Sequence, residues 1–283
     1  MASSKLVWLI TGANSGFGLF LARLALSKGH TVIATARDLN KFPEDLLRNP
    51  NADLVEVQIT ASGAEISQVV DSAISKHGRI DILVNNAGFG HLGAVEEVTE
   101  EEARYQFDVN FFGVFNFTKA VIPHMRTQKS GVIVQISSGV GILGSPGGSI
   151  YTASKQAVEG MSEAMAAELK PFGVRVHIVE PGIFRTEFLG PVARGQNLSQ
   201  SKEGYQDMGA MLRGLHGNQP GDPAKGVLRI FEVVTGSGMG VGLENELRIP
   251  LGPDAFGMLE TKMAMFNETC TKLKEVAFST DFP

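Results

Sequence analysis

Short runs of apolar residues alternate along this chain with stretches whose apolar positions repeat every three to four residues. Leu6–Ile10, Thr31–Thr35, Leu54–Ile59, Ile80–Val84, Gly131–Ser137, Val174–Val179 and Leu247–Leu251 are short and rich in Val, Ile and Leu, and they predict strands. Between them, helical spacing predicts helices over Gly16–Lys28, Ala64–Lys76, Glu100–Ile122, Ile150–Lys170 and Pro223–Val234. Strands that alternate with helices specify a doubly wound parallel sheet, an α/β architecture of three layers. Both faces of such a sheet are covered, so its strands read as continuous apolar runs. The first helix is apolar almost all round, which suits a helix wedged between the sheet and its neighbours. Helix Ile150–Lys170 runs into Pro171-Phe172-Gly173, where the proline cannot continue the helix and the glycine can take a left-handed cap. The tail over Asp254–Val276 again has helical spacing, through Phe256, Leu259, Met263, Phe266, Cys270 and Leu273.

The pattern shows no linker and no repeat, so we expect a single Rossmann-type domain over residues 1–283. Its cofactor-binding part would cover about 5–186, a substrate lid about 187–222 and a C-terminal extension about 247–283. The lid stretch mixes Gly190, Gly195, Gly204, Gly209, Gly214 and Gly217 with Ser, Gln and Asn. A loop region that long in a compact domain is usually functional.

Composition removes several classes of function. The net charge is −5, which gives no basic grip for nucleic acid. A single cysteine, Cys270, excludes an intramolecular disulfide framework and any multi-thiolate metal site, and no metal is expected. No apolar run is long enough to span a membrane, and the run after Met1-Ala2-Ser3-Ser4-Lys5 is too short for a signal-peptide core, so a cytoplasmic protein is expected. The chain has 33 Gly and 17 Phe against three Tyr and one Trp. Phe17, Phe111, Phe112 and Phe115 are expected on buried helix faces.

The chemistry begins where the first strand ends, in Thr11-Gly12-Ala13-Asn14-Ser15-Gly16-Phe17-Gly18. Glycines there let the backbone turn tightly and approach a pyrophosphate at a helix N-terminus. Because this turn follows a strand and opens a helix, it predicts a dinucleotide site. The second strand ends in Thr35-Ala36-Arg37-Asp38. An arginine there favours the 2′-phosphate of NADP(H) over the bare hydroxyl of NAD(H), although Asp38 stands close to the position of a ribose-binding acid. Asn85-Asn86-Ala87-Gly88, after the fourth strand, reads as cofactor contacts or as a polar turn.

Tyr151 and Lys155 are four residues apart at the start of a helix and so share a face. A lysine ammonium about 4 Å from the phenol, at an effective dielectric near 20, would favour the phenolate by up to roughly 4 kcal/mol, or about three pKa units. Ser138 ends the strand before it, at the edge where open α/β sheets bind ligands. Asn110 sits inside a long apolar helix, where asparagine forms helix poorly, and so is expected to hold water or to kink the helix.

In these motifs the chain resembles the short-chain dehydrogenase/reductase family, from Thr11 to about Thr186: Thr11-Gly12-x-x-x-Gly16-x-Gly18, Asn85-Asn86-Ala87-Gly88, Asn110, Ser138, Tyr151-x-x-x-Lys155 and Pro181-Gly182 stand in the family's order. The last part, with Leu251-Gly252-Pro253-Asp254-Ala255, is similar to ketoreductases and to hydroxysteroid- or retinol-dehydrogenase-like members. The resemblance implies that Tyr151 is general acid in ketone reduction and general base in reverse. It implies that Lys155 lowers the pKa of Tyr151 and holds the ribose, Ser138 polarises the substrate carbonyl, and Asn110 anchors a water in a proton relay. Gly12, Asn14, Ser15, Gly16, Phe17, Gly18, Arg37, Gln58, Ile59, Asn86, Ala87, Gly88, Pro181, Gly182, Ile183 and Thr186, with Tyr151 and Lys155, would line the cofactor. Two departures stand out: Gln58 replaces the acid the family often has near the adenine, and Asn14-Ser15 stand where some NADP-dependent members carry a basic residue.

Phe89, Val140, Phe184 and Phe188, with Ser138 and Tyr151, are the candidate substrate wall, joined by Ile142, Leu143, Leu189, Tyr205, Met208, Met211 and Leu212. Few charges among them suit a small hydrophobic ketone or aldehyde. His91 is read as solvated or structurally bonded. The family's long helices pair with symmetry mates, which implies a homodimer or a homotetramer. The functional expectation is an NADP(H)-dependent carbonyl reductase or alcohol dehydrogenase. The alternatives are an NADP(H)-binding sensor without turnover, or an epimerase or dehydratase on the same fold.

Overall fold

The computed structural model describes residues 5–200, 202–205 and 208–282. Seven strands form one parallel sheet in the order β3-β2-β1-β4-β5-β6-β7: β1 Val7–Ile10, β2 Thr31–Ala36, β3 Ala52–Glu56, β4 Ile82–Asn85, β5 Gly131–Ile136, β6 Val174–Pro181 and β7 Arg248–Leu251. The order reverses between β1 and β4, which opens a crevice at their carboxyl ends. The principal helices are α1 Gly16–Ser27, α2 Gly63–His77, α3 Glu100–Phe107, α4 Gly113–Gln128, α5 Ser149–Leu169, α6 Met208–Leu215, α7 Pro223–Thr235 and α8 Pro253–Phe278.

Strand periodicity divides the core in two. Trp8, Ile10, Val132 and Val134 face α1 and α7, where they meet Phe17, Leu21, Val227, Ile230 and Phe231. Val7, Leu9 and Ile133 face the other way, onto Ile66 and Val70 of α2, Phe117, Val121 and Met125 of α4, and Met165 and Leu169 of α5. This Rossmann-type, three-layer single domain is the expected α/β class.

Three expectations need correction. The third strand stops at Glu56 rather than Ile59, because Ile59 leaves the sheet to fill the space beneath Gly113, where a Cβ would stand 2.6 Å from Ile59 Cγ1. The long helix is interrupted by a π-helical segment, Asp108–Phe112, and then passes through Pro123 to Gln128, since Phe117, Val121 and Met125 hold it on the sheet across the proline. Phe112 and Phe115 are 50% and 39% exposed and so do not lie on buried faces.

Among the described residues, no helix is long and apolar enough to cross a membrane. No group of three or more His, Cys, Asp or Glu side chains among them is placed to hold a metal ion.

Candidate active site

Parallel pairing brings four strand ends to one edge of the sheet: Thr11 after β1, Asn85-Asn86 at the end of β4, Ser137-Ser138 after β5 and Pro181-Gly182 at the end of β6. The glycine turn is stapled from β4. Thr11 Oγ1 accepts from the backbone amides of Asn86 and Ala87, both at 3.0 Å, and Asn86 Nδ2 donates to the carbonyls of Thr11 and Gly12 at 2.9 and 3.1 Å. The Asn86 side chain thus serves the turn itself. Gly12 (φ +63°) and Gly16 (φ +52°) occupy backbone conformations that favour glycine. A Cβ on Gly18 would stand 2.5 Å from Asn86 Nδ2 and 2.6 Å from the Gly12 carbonyl, so α1 can pack onto the turn only without one.

Ser15 caps α1 without a side-chain hydrogen bond, so the first-turn amides keep their capacity for an anion. Gly16, Thr186, Arg185, Glu187, His216 and Gln219 border a cavity of about 250 Å³ at this turn. Gln219 Oε1 and His216 Nδ1 are buried there without a partner. The cradle suits the diphosphate of a dinucleotide. Thr186 Oγ1 accepts from the Phe188 amide at 3.3 Å.

At the end of β2, Arg37 is exposed and Asp38 half-buried. Its carboxylate accepts from the Asn40 amide at 3.0 Å and lies 3.9 Å from Lys41 Nζ. Gln58 Nε2 donates to the Arg37 carbonyl at 3.4 Å, bracing that strand end.

Tyr151, Lys155 and Ser154 lie on the first turns of α5. Tyr151 and Lys155 are buried, and Asn110 is completely so. Asn110 occupies the π-helical segment and clamps Phe89: its Oδ1 accepts from the Phe89 amide at 3.1 Å and its Nδ2 donates to the Phe89 carbonyl at 2.9 Å and to Ser154 Oγ at 3.1 Å. The helix is thus π-helical where Asn110 sits, and the Asn110 amide is bonded to the Phe89 backbone and to Ser154. Lys155 Nζ donates to the Ile136 carbonyl at 2.7 Å and lies 5.9 Å from the Tyr151 ring centre. A Cβ on Gly88 would stand 3.1 Å from Asn110 Oδ1 and 3.5 Å from Lys155 Nζ, so this glycine opens the space above both.

Burial pushes the Tyr151 phenol up to about 12, against the pull of a hydrogen bond with Ser138. Burial also brings the Lys155 ammonium down to about 8, against the field of Glu159. At Tyr151 the cost of desolvation exceeds the pull of the Ser138 hydrogen bond. Ser138 Oγ also accepts from the Val140 amide at 3.4 Å, so it caps the one-turn helix Gly139–Ile142 as well as facing Tyr151.

The substrate wall divides. Phe188 stands beside Tyr151, ring centres 5.8 Å apart, and a Cβ on Gly90 would touch both. Phe184 packs edge-on against Phe17 at 5.0 Å. The Phe89 ring meets Tyr105 at 5.4 Å and lines a cavity of about 230 Å³ with His91, Glu102, Asn197 and Leu198. His91 is buried and bonded to Ser199 Oγ at 2.9 Å, which fits a structural role. The side chains of Met208 and Met211 lie outside the described residues.

Sequence reasoning missed a buried polar system behind the site. Ser137 Oγ donates to Glu159 Oε1 at 2.5 Å, and Arg248 binds Glu159 at 2.8 Å, Glu163 at 2.5 Å and the fully buried Glu180. Burial and the neighbouring Glu159 push Glu180 up to about 7, against Arg248. Asp254 was missed too: its Oδ2 accepts from the Ile183 amide at 2.6 Å, and it lies where a Cβ on Gly182 would be. The available signal was a lone carboxylate in each of two apolar settings, Glu180 ending β6 and Glu159 one turn beyond Lys155.

Comparison with known proteins agrees with this geometry. Residues 6–197 match the short chain dehydrogenase family. A 3-ketodihydrosphingosine reductase of Bacteroides thetaiotaomicron is 43% identical over 210 residues, 73% of each chain. An oxidoreductase of Botryotinia fuckeliana is 34% identical over 97% of this chain and 98% of its own. A short-chain dehydrogenase structure from Streptomyces avermitilis, 37% identical, superposes with a TM-score of 0.87 over 99% of this chain and 100% of that one. Structures of this fold include complexes with NAD and with NADP. With a match that spans two thirds of the chain and a stapled glycine turn beside a buried Tyr–Ser–Lys cluster, the chain belongs to the short-chain dehydrogenase/reductase family of oxidoreductases.

Proposed function

We propose that this oxidoreductase uses NADP(H) to reduce a hydrophobic ketone or aldehyde to the alcohol, reversibly. The observation that carries the reading is the buried Tyr151 phenol, hydrogen-bonded with Ser138, with Lys155 Nζ 5.9 Å from its ring and the apolar Phe188 at its side. The nicotinamide cofactor, when bound, supplies the hydride. The Ser138 hydroxyl orients and polarises the carbonyl oxygen, and Tyr151 Oη delivers the proton to it. Lys155, with its lowered pKa, positions the cofactor ribose and returns a proton toward Tyr151. Asn110, fixed against Phe89 and Ser154, serves the proton relay that leads to Lys155.

Arg37 is the proposed selector for the 2′-phosphate, supported by the engagement of Asp38 with Asn40 and Lys41. Gly12, Asn14, Ser15, Gly16, Phe17 and Gly18 form the proposed diphosphate turn. Ile59, Ala87, Gly88, Pro181, Gly182, Ile183 and Thr186 border the rest of the cofactor, and 187–222 closes over the substrate. A relative named as a 3-ketodihydrosphingosine reductase supports a ketone as the substrate. Exposed Phe112 and Phe115 support pairing of the long helices in a homodimer, and the free, exposed Cys270 supports a reducing, cytoplasmic setting.

The test is a panel of hydrophobic ketones, aldehydes and alcohols, followed by NADPH oxidation or NADP+ reduction, with Tyr151→Phe alongside. Turnover is expected for some members, with loss of at least about 10²-fold in the variant while NADPH still binds. A panel without turnover would favour a sensor, and turnover that conserves the cofactor's redox state would favour an epimerase or dehydratase.

A further inference from the structure

From Met263 to Phe278, every described side chain of α8 is exposed, so the helix leaves the body of the protein as an arm about 24 Å long. Only its first turns are anchored: Ala255 is buried, and Met258 reaches the Gly139 loop beside Ser138. The arm carries helix formers of middling quality, Phe266, Asn267, Thr269, Thr271, Val276 and Phe278. A helix this short with such residues needs packing to hold its form in water.

The arm also carries a pattern that names its partner. Phe256, Leu259, Met263, Phe266, Cys270, Leu273 and Ala277 follow one another at alternating steps of three and four residues, the a/d stripe of a coiled coil. Met263, Phe266 and Leu273 are 56%, 58% and 52% exposed. A membrane surface would want a broad apolar face and a Lys/Arg-rich polar one. Here the polar side is balanced, with Glu260, Glu268 and Glu275 against Lys262, Lys272 and Lys274. Met265, Val276 and Phe278 are exposed outside the stripe, but no basic polar face accompanies them, and a continuous a/d stripe is fitted by a second helix.

We propose that α8 pairs with α8 of a second copy of this chain as an antiparallel coiled coil. In that arrangement Met263 layers against the partner's Leu273, and Phe266 against the partner's Cys270. Charge selects the direction. Glu260 and Lys274 both occupy e positions, which meet each other in antiparallel pairs, so Glu260 faces the partner's Lys274 twice by symmetry. Neither forms an ion pair among the described residues, whereas Glu268 is already joined to Lys272. A parallel pair would instead set Lys262 beside the partner's Asn267 and Thr269 beside the partner's Lys274, with no attraction. It would also stack Cys270 on Cys270.

The full-length protein tests this by sedimentation equilibrium. Because this pairing adds to that of the long helices, we expect a tetrameric wild type and a Phe266→Glu/Leu273→Glu variant of half its mass, a dimer that retains cofactor binding. Glu260→Lys and Lys274→Glu singly are expected to weaken the assembly by about tenfold each, and the two together to restore it. In a Cys270→Ser background, Glu260→Cys with Lys274→Cys should oxidise to a disulfide-linked dimer. A monomeric wild type, including one that instead sediments with neutral lipid vesicles, overturns the proposal. So does an unchanged mass in Phe266→Glu/Leu273→Glu, or ready Cys270 disulfide formation in the wild type, which signals parallel strands.

Discussion

Replacing Arg248 with methionine removes a guanidinium that faces three carboxylates. Glu180 has no exposed surface and Glu159 almost none, and both bind the Arg248 guanidinium, while Glu163 binds it from the rim. Methionine keeps most of the packing volume and none of the charge. Removing one partner of a buried ion pair costs about 3–5 kcal/mol, because the remaining charge stays buried without compensation. At roughly 2 °C per kcal/mol for a chain of this size, Tm should fall by about 6–10 °C at pH 8. The pH dependence gives the sharper test. In the folded protein Glu180 sits at about 7, above the ordinary carboxylate value of 4.5. A raised carboxyl pKa contributes stability that is full below about 4.5 and is lost as pH rises to about 7. Without Arg248 the Glu180 carboxyl moves higher still, so protonation relieves the variant at acid pH and not at alkaline pH. The gap between variant and wild type should therefore narrow to about half at pH 5.5 and be widest near pH 9. Adding Glu180→Gln to the variant should recover part of the loss at pH 8. Thermal melts followed by circular dichroism across this range decide the matter. A Tm change under about 3 °C, or an equal change at pH 5.5 and pH 9, would refute the view of Arg248 as the counter-ion of a buried acid cluster.

Four further outcomes follow from the same geometry. Arg37→Ala should raise the KM for NADPH by about 10- to 100-fold, the worth of a charge-assisted hydrogen bond, and leave that for NADH nearly unchanged; equal effects would remove Arg37 as selector. Gly18→Ala should cost about 1–3 kcal/mol and weaken cofactor binding, because its Cβ would collide with Asn86 and Gly12, whereas Gly160→Ala, which meets nothing within 4 Å, should be neutral or stabilising by up to about 1 kcal/mol in a urea titration. Carbonyl reduction should hold up to about pH 8 and fall above it as Lys155 loses its proton, since Tyr151 stays protonated to about 12; in Lys155→Arg the fall should move upward, and an unmoved limb would assign it elsewhere. Asp254→Ala should free the Ile183 amide and raise the cofactor KM with little change in kcat, measured by steady-state kinetics.

The strands and the glycine turn were legible because each is written in local signals, apolar runs and glycines whose spacing survives without knowledge of tertiary contacts. The long helix shows where such signals stop. Asn110 stood out as a poor helix former in an apolar stretch, and the helix does break there. The form of the break depends on Phe89, whose backbone amide and carbonyl are both taken by the Asn110 side chain. That contact joins residues 21 apart and has no counterpart in periodicity. Phe184 shows the same limit: it follows Pro181-Gly182 in sequence, and its edge-on contact with Phe17 of α1 has no local signal.

The acid cluster marks the deeper limit. Glu159, Glu180 and Arg248 come from α5, β6 and β7, and each alone reads as an ordinary charged residue at the end or on the side of an element. Together they tie the helix that carries Lys155 to the strand that delivers Pro181-Gly182. Through Ser137 they also reach the residue next to Ser138. The chemistry at the sheet edge is thus written in short motifs, while its alignment rests on long-range charge pairing. A substitution at Arg248 should therefore reach the reaction centre even though it touches no residue of the Tyr151–Ser138–Lys155 cluster, because it loosens two of the three elements on which that cluster and its cofactor border stand.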